Sequence, residues 1–144
     1  MIEGVLLPEL DDESEPFWNG TAEGKLLVQA CGSCGRLRHP PRPMCPSCQS
    51  EKIEWREMSG RGTIWSYVVA HPPLLPSYQA LAPYNVIVVA LDEDPDIRMI
   101  GNLLAKEGGE INEIDPATIA IGERVQAVYE KVADDVTLPR WVRA

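Results

Sequence analysis

Four cysteines are the residues best suited to chemistry in this sequence. They form two Cys-x-x-Cys pairs, Cys31 with Cys34 and Cys45 with Cys48, with ten residues between the pairs. Two residues between thiolates let one tight turn direct both sulfurs, and its backbone N–H groups, at a single ion. Two such turns complete a tetrahedral shell of four thiolates, which leaves no coordination position for an activated water. The spacing therefore predicts one structural zinc ion that orders a loop-rich segment.

The same spacing leaves other uses of the cysteines open. Four tetrahedral thiolates accept iron as well as zinc, so a rubredoxin-like electron carrier is an alternative. Disulfides and thioredoxin-like redox chemistry are disfavoured because we expect a cytoplasmic chain. His39 lies between the two pairs, and with four cysteines present we expect it to pack or to lie at the surface. Gly35 follows the first pair, where a positive φ is often needed, and Gln49 stands at the equivalent place after the second.

The rest of the sequence offers no catalytic motif. It contains no nucleophile elbow, phosphate-binding glycine loop, dinucleotide fingerprint or His-Glu-x-x-His pair, and its only histidines are His39 and His71. The acidic run from Asp92 to Asp96 is typical of a solvated turn between strands, with a weak calcium site as the lesser alternative. We therefore expect no catalytic residue in this chain.

Charge is distributed unevenly along the chain. The net charge of −9 is made up of −7 over residues 1–24, +4 over residues 25–61 and −6 over residues 62–144. The overall charge repels phosphate backbones and disfavours nucleic acid as a partner. The basic central segment is a candidate anion site, the alternative being cations scattered over a solvated surface. Its candidate residues are Lys25, Arg36, Arg38, Arg42 and Arg61.

Composition predicts a soluble globular protein of one domain, or of one domain with a small appendage. Of the 144 residues, 44% are apolar and 24% are charged, which excludes collagen-like and disordered chains. The longest apolar stretches, such as Tyr84 to Leu91, are far shorter than the roughly 20 residues of a membrane helix. Met1 to Asp12 lacks the basic start, long apolar stretch and cleavage site of a secretory signal. We therefore expect no membrane span and a cytoplasmic location.

Two short sections precede the main body of the chain. Residues 1–24 are acidic and predict a helical arm that begins near Ser14 and ends near Gly24. Residues 25–58 hold the cysteines among turns and predict a zinc ribbon. The strands expected to enter and leave the ribbon are Leu26 to Val28 and Ile53 to Trp55.

Residues 59–144 predict a mainly β domain. Five strands with unequal loops favour a small closed or nearly closed OB-like barrel over a parallel sheet with crossover helices. The proline-rich segment His71 to Pro83 predicts a shaped loop, and Pro116 to Ile121 predicts a brief helical turn. The predicted strands are Thr63 to Ala70, Tyr84 to Leu91, Ile97 to Leu104, Arg124 to Val132 and Leu138 to Val142.

Apolar and aromatic residues predict that part of this chain is covered. Tyr84 to Leu91 is apolar on both faces, so the ribbon, the arm or another subunit must cover its outer side. Phe17 and Trp18 are neighbours in the arm, and we expect both to anchor it on the chain's own domain, the alternative being that one faces a partner. Together with Trp65 and Tyr84 they are the candidate interface residues.

A series of short motifs runs in order along nearly the whole chain from Glu15. The motifs are Phe17-Trp18-Asn19-Gly20, Glu23-Gly24-Lys25-Leu26, Cys31-Gly32-Ser33-Cys34-Gly35, Pro40-Pro41-Arg42, Cys45-Pro46-Ser47-Cys48, Ser59-Gly60-Arg61-Gly62-Thr63-Ile64, Ala82-Pro83-Tyr84, Gly101-Asn102-Leu103, Ile121-Gly122, Arg124-Val125 and Leu138-Pro139-Arg140-Trp141. Together they resemble the zinc-ribbon and OB-fold family of acyl-CoA-associated proteins, also called domain of unknown function 35. His39, where a large aromatic is more usual, and Gln49, where glycine is usual, depart from the family pattern.

The resemblance implies an N-terminal helical arm, a rubredoxin-like zinc ribbon and a C-terminal OB-fold barrel. It also implies a noncatalytic subunit of a hetero-oligomer, because members of the family look like companions of thiolase-superfamily enzymes. Those partners include lipid-transfer-protein-like aldolases of steroid side-chain breakdown, hydroxymethylglutaryl-CoA synthase and acetoacetyl-CoA thiolase, and also MaoC-type enoyl-CoA hydratases. The implied tasks are to complete the assembly and to hold the CoA part of an acyl-CoA, for which the five basic residues supply positive charge.

A single-stranded nucleic-acid-binding module is the alternative from a different class. OB barrels and zinc ribbons both serve that use, and Trp65, Tyr67 and His71 alternate along the first barrel strand at a spacing suited to stacking bases. The net charge and the lack of a sustained basic face argue against it. The preferred hypothesis is an accessory subunit of a retro-aldolase that acts on steroid side chains.

Overall fold

The N-terminal arm contains one short helix. The computed structural model describes residues 4–144, so the first three residues of the predicted arm lie outside the described part. Helix α1 spans Glu15–Ala22, with Pro16 in its first turn, and Gly24 follows it with a φ of 74°. Ser14 occupies the cap position, but its Oγ donates to Asp11 Oδ1 at 2.7 Å and makes no bond to the helix. No helix in residues 4–144 combines the length and apolar character needed to cross a membrane.

The ribbon is a three-stranded antiparallel sheet. Strands β1 (Leu26–Cys31) and β3 (Ile53–Met58) pair along their whole length and extend beyond the predicted segments. A short strand β2 (Leu37–Arg38), which the sequence did not predict, pairs with the other edge of β1. Burial does not alternate along β1, because five of its six residues are buried. This strand therefore has protein on both sides, the ribbon loops on one and the larger sheet and arm on the other.

A six-stranded sheet forms the main body of the chain. Its order is β6-β5-β4-β8-β9-β7, and every neighbouring pair is antiparallel except β7 with β9. The predicted strand Ile97 to Leu104 is split into two strands around Asn102. The strands are β4 (Arg61–Ala70), β5 (Tyr84–Leu91), β6 (Arg98–Gly101), β7 (Leu103–Leu104), β8 (Arg124–Ala133) and β9 (Val136–Arg143).

The two edge strands of this sheet, β6 and β7, are consecutive in the chain, so the sheet curls back on itself. No ladder joins them within residues 4–144, and the closed form of the predicted barrel is therefore not observed. Side chains bridge the gap instead. Asn85 of β5 accepts a hydrogen bond from the Leu103 N–H at 2.7 Å and donates to the Leu103 carbonyl at 2.9 Å. Asn102 Nδ2 donates to the Asn85 carbonyl at 2.6 Å.

One continuous core joins the arm, the ribbon and the sheet. Phe17 from the arm and Leu26 from the ribbon belong to the same buried cluster as Ile64, Ile87 and Trp141 from the sheet. Trp18 is half-buried and packs against this cluster. Both aromatic residues of the arm therefore anchor it to the chain's own domain, where their burial stabilises the docked helix.

The loops differ from prediction in one place. The proline-rich loop between β4 and β5 contains a single helical turn, α2 (Pro76–Gln79), because Pro76 starts the turn with a suitable φ. The predicted turn after Asp115 is confirmed as a 3-10 turn at Pro116–Thr118, and Asp115 caps it by accepting from the Ala117 N–H at 3.0 Å.

Candidate metal centre and neighbouring surfaces

The two Cys-x-x-Cys turns have the same backbone geometry. In the first, the Gly35 N–H donates to the Cys31 carbonyl at 2.9 Å, and in the second the Gln49 N–H donates to the Cys45 carbonyl at 2.9 Å. The N–H groups of Cys31 and Cys45 each bond the carbonyl five residues later, also at 2.9 Å. Local hydrogen bonds thus hold both turns with their sulfurs directed at one point.

The four sulfurs lie together and fit a zinc ion. Cys31 Sγ is 3.6 Å from Cys48 Sγ, Cys34 Sγ is 3.7 Å from Cys45 Sγ, and all four atoms lie within 4.8 Å of one another. A tetrahedral ion with Zn–S bonds of ~2.3 Å requires sulfurs about 3.8 Å apart, so the spacing matches. Four protein ligands fill the shell, and such an ion stabilises the ribbon without activating water.

The electrostatics of the site favour thiolates that share a cation. N–H groups of Cys34 and Ser33, each 3.4 Å from Cys31 Sγ, lower the pKa of the Cys31 thiol to about 6. N–H groups of Cys48 and Ser47 likewise lower the pKa of Cys45. A Ser50 N–H also favours the Cys48 thiolate, yet contact with the neighbouring sulfurs, first that of Cys31, raises the pKa of Cys48 to about 11. Four adjacent thiolates repel one another, and a divalent cation removes that repulsion.

Gln49 occupies a backbone conformation that favours glycine. Its φ is 60°, the same left-handed region as Gly35 at 77° in the first turn. We expect Gln49→Gly to raise the free energy of unfolding of the zinc-loaded protein by about 0.5 to 1 kcal/mol, because glycine adopts this region without Cβ strain. Urea denaturation measures it. Gln79→Gly, in the turn α2, is the control and should lower stability; an unchanged or lowered midpoint for Gln49→Gly would contradict the expectation.

The five basic residues predicted to bind CoA lie on separate elements. Lys25 precedes β1 and pairs with Glu23 at 3.3 Å. Arg36 donates to Ser47 within the second cysteine turn, and Arg61 begins β4. Lys25, Arg36, Arg42 and Arg61 are exposed. These four side chains are therefore accessible to an anion from solvent.

Arg38 differs from the other four because it is buried. Its Nε donates to Gln29 Oε1 at 2.5 Å and its Nη2 donates to the Arg42 carbonyl at 3.3 Å. Gln29 Oε1 also accepts from the Arg42 N–H at 2.7 Å. Arg38 thus fixes the loop between the two cysteine turns, and we leave it out of the accessible anion-binding set.

A groove of about 650 Å³ brings together three of the four predicted interface residues. Phe17, Trp18 and Tyr84 line it, whereas Trp65 does not. His39 also lines the groove, which the sequence did not predict, and its ring centroid is 5.4 Å from that of Phe17. Burial lowers the pKa of His39, which favours the neutral ring at neutral pH. None of the five basic residues lines this groove.

A bulge separates the aromatic residues of β4. The register shifts between Ile64 and Ser66, so Trp65 is exposed while Tyr67 packs against the core. A bulge changes which face successive side chains occupy. The row of stacking aromatics that the nucleic-acid alternative requires is therefore broken.

Two family models match the chain. The model for the ChsH2 rubredoxin-like zinc ribbon domain matches residues 18–54 and includes all four cysteines, so the ribbon is the site of one structural zinc ion. The model for the ChsH2 C-terminal OB-fold domain matches residues 55–130. The predicted combination of zinc ribbon and OB fold is thereby confirmed.

Similar proteins include two larger subunits. The chain is 33% identical over 132 residues to a protein named probable enoyl-CoA hydratase alpha subunit in Thermomonospora curvata. It is 32% identical over 139 residues to the 3-oxo-4,17-pregnadiene-20-carboxyl-CoA hydratase alpha subunit of Mycobacterium tuberculosis. These matches take in 92% and 96% of the chain but 38% and 39% of the relatives, so the chain spans about two fifths of their length.

A relative of similar size is a scaffold protein. The chain is 34% identical over 111 residues to a DUF35 domain-containing scaffold protein of Methanothermobacter thermautotrophicus, a match that takes in 76% of this chain and 75% of that protein.

Two solved structures share the fold. A chain of the Ltp2-ChsH2(DUF35) aldolase superposes with a TM-score of 0.80 at 31% identity, over 95% of this chain and 98% of that one. A DUF35 protein of unknown function from Sulfolobus solfataricus has a TM-score of 0.58 at 17% identity, over 92% of this chain and 86% of that one, and shows likeness in fold alone. The chain therefore belongs to the DUF35 family, with a ChsH2-type zinc ribbon joined to an OB-fold domain.

Proposed function

We propose that this chain is a noncatalytic accessory subunit that binds a thiolase-superfamily enzyme and helps that enzyme hold its acyl-CoA substrate. The preferred partner is a lipid-transfer-protein-like retro-aldolase that acts on steroid side chains. The observation that carries the proposal is the similarity to the Ltp2-ChsH2(DUF35) aldolase, which extends over 98% of the matched chain. The noncatalytic role is supported by the metal site, because four cysteine ligands leave no open position on the ion. The carbon–carbon chemistry would belong to the partner.

Partnership with a MaoC-type enoyl-CoA hydratase is the second candidate. It is favoured by two relatives named as alpha subunits of enoyl-CoA and pregnadiene-carboxyl-CoA hydratases. We rank it lower because those matches leave more than half of each relative's length unmatched. The match to the aldolase structure, in contrast, covers 98% of the matched aldolase chain. Both candidates involve CoA thioesters as substrates.

The proposed binding of CoA is argued from the distribution of charge. CoA is a polyanion, and the accessible cations Lys25, Arg36, Arg42 and Arg61 lie in or beside the ribbon of a chain whose other parts are acidic. Guanidinium groups bind phosphate oxygens through paired N–H donors. We therefore propose that the exposed cations of the ribbon region bind the CoA phosphates. The groove between arm and sheet, which none of these cations lines, is separate from this CoA site.

The partner is tested by affinity purification from the native host, followed by identification of the bound enzyme and by assays with and without this chain. We expect a thiolase-superfamily enzyme whose activity depends on the chain. Recovery of no such enzyme, together with full activity of the enzyme alone, would defeat the proposal. Recovery of a MaoC-type hydratase instead would select the second candidate.

CoA binding is tested by calorimetry on charge-reversal variants. Arg36→Glu and Arg42→Glu are each expected to weaken CoA binding by about tenfold or more without unfolding the chain, since a charged hydrogen bond contributes roughly 1.5 to 3 kcal/mol. Lys106→Glu makes the same charge change at an exposed loop position outside the ribbon and serves as the control. Equal affinity in all three variants would remove the ribbon arginines from the site.

A further inference from the structure

Strands β4, β5 and β6 have one side directed away from the core. Register places Ile64, Val89 and Met99 in one row across the three strands, and all three are buried. Side chains alternate between the two faces along a strand, so the next row, with Val88 and Ile100, lies on the opposite side. We call this side the outer face. Its main residues are Trp65, Val68, Val86, Val88, Arg98 and Ile100.

Trp65 of β4 lies on the outer face next to the buried Ile64. It is the extra residue of the bulge, because the register with β5 passes directly from Ile64 to Ser66. Arg98, on β6, lies with its guanidinium carbon 3.8 Å from the Trp65 ring centroid. This cation–π contact holds a large aromatic side chain in one orientation while it stays 51% exposed.

The outer face is apolar and exposed. Val68 is 62% exposed and Ile100 is 70% exposed, and Val86 and Val88 between them are half-buried. The water-facing side of an antiparallel sheet is ordinarily polar, and Arg98 is the one charged residue among the six that define this face. Aromatic side chains and arginine, with few other charges, are the composition of the buried centre of a protein interface.

A free strand edge borders the same face. Strand β8 pairs with β4 only from Arg61 to Thr63, whereas β5 pairs with it as far as Ala70. Within the described residues, β4 from Ser66 onward therefore has a ladder on one side only. An exposed edge beside apolar side chains favours association with another chain unless a partner covers it.

We propose that the outer face is the docking surface for the catalytic partner, and that this partner presents apolar side chains with a carboxylate opposite Arg98. The inference rests on the proposed function, which supplies the thiolase-superfamily enzyme as the occupant. Charge favours this arrangement, because the chain carries −9 overall while the outer face carries a cation. An apolar enzyme surface that carries a carboxylate can approach here with less repulsion than at the acidic parts of the chain.

Charge also argues against other occupants. In a twofold contact with a second copy, both chains would present Arg98 from the same patch, and two molecules of net charge −9 would be brought together. A CoA nucleotide requires several cations, and the outer face has one, already over an indole ring. Phe17 is part of the chain's own core and Trp18 packs against it, so both are left out of the docking surface.

The test measures binding of the enzyme recovered from the native host to variants of the full chain. Ile100→Glu and Arg98→Glu are each expected to weaken the complex by about tenfold or more, since both change the centre of the interface. Ile53→Glu, on the exposed edge strand of the ribbon, is the matched control and should bind as the unmodified chain does. Unchanged zinc content and circular dichroism would show that each variant is folded.

Hydrogen exchange on the unmodified complex gives a second readout that needs no variant. We expect the enzyme to slow exchange at amides of β4 between Ser66 and Ala70. Full affinity of Ile100→Glu, or unchanged exchange in β4, would overturn the docking surface while leaving the complex itself intact. Failure of any thiolase-superfamily enzyme to bind the unmodified chain would overturn the proposed function as well. A dimer of this chain alone that Ile100→Glu separates would assign the face to self-association.

Discussion

Cys31→Ser should abolish stoichiometric zinc binding and unfold the ribbon. A serine oxygen is a poor zinc ligand, and the three remaining thiolates do not close the shell. Zinc contributes about 10 to 16 kcal/mol of binding free energy in small zinc modules, and the ribbon has few buried side chains of its own with which to replace it. We expect a loss of stability of several kcal/mol, measured as zinc per chain by atomic absorption and as the unfolding midpoint in urea.

A residue next to the second cysteine pair supplies the control for this variant. Met44→Ser introduces the same side chain beside Cys45, at a residue that is 46% exposed and is no ligand. It should retain zinc and nearly full stability. Removal of zinc from the unmodified chain with a chelator should reproduce the effect of Cys31→Ser. A Cys31→Ser variant that folds normally and loses only a reaction would show that the metal is not structural.

Asn85→Leu should lower the free energy of unfolding by about 2 to 5 kcal/mol, because it leaves a buried N–H and a buried carbonyl without partners. Both groups belong to Leu103, and Asn85 satisfies them across the gap where β6 and β7 share no ladder. Asn85 and Leu103 are fully buried, so water does not substitute. Leucine has the same branching and the same number of side-chain heavy atoms, so the substitution leaves no cavity that could account for the loss.

Tryptophan fluorescence during urea denaturation measures the effect, since Trp141 lies in the core beside this gap and its backbone N–H donates to the Asn102 carbonyl at 3.1 Å. Asn112→Leu, at an exposed loop position, is the control and should change stability by less than about 0.5 kcal/mol. A similarly small loss for Asn85→Leu would mean that the backbone of Leu103 has another partner in solution.

The consequences of these two variants differ for the proposed partner complex. Loss of zinc disorders the ribbon, which carries the exposed cations Arg36 and Arg42, so CoA binding should fall with it. The outer face lies on the six-stranded sheet, and its strands are paired independently of the ribbon sheet. Separate measurements of CoA binding and enzyme binding would therefore distinguish damage to the ribbon from damage to the sheet.

Local sequence determined the metal site. Each Cys-x-x-Cys turn is closed by hydrogen bonds within a few residues, so spacing alone predicted that Cys31, Cys34, Cys45 and Cys48 converge. The strand Tyr84–Leu91 was predicted at its observed bounds because its apolar run is flanked by proline and by acidic residues. The short motifs shared with the family were sufficient to predict the OB fold, whose core residues alternate along the strands.

Tertiary structure decided how the remaining residues are used. Arg38 looks like any other cation of the basic segment, and only its pairing across the ribbon with Gln29 buries it. Asn85 looks like one polar interruption of an apolar strand until the sheet curls and brings Leu103 beside it. Trp65 and Tyr67 would share one face of a regular strand, but β4 gains a residue relative to β5, so Trp65 is exposed while Tyr67 packs against the core. The positions of the metal ligands depend on contacts within each cysteine turn, and the spacing in the sequence specifies these contacts. Burial, register and edge pairing depend on segments that lie far apart in the chain, and only the folded structure brings those segments together.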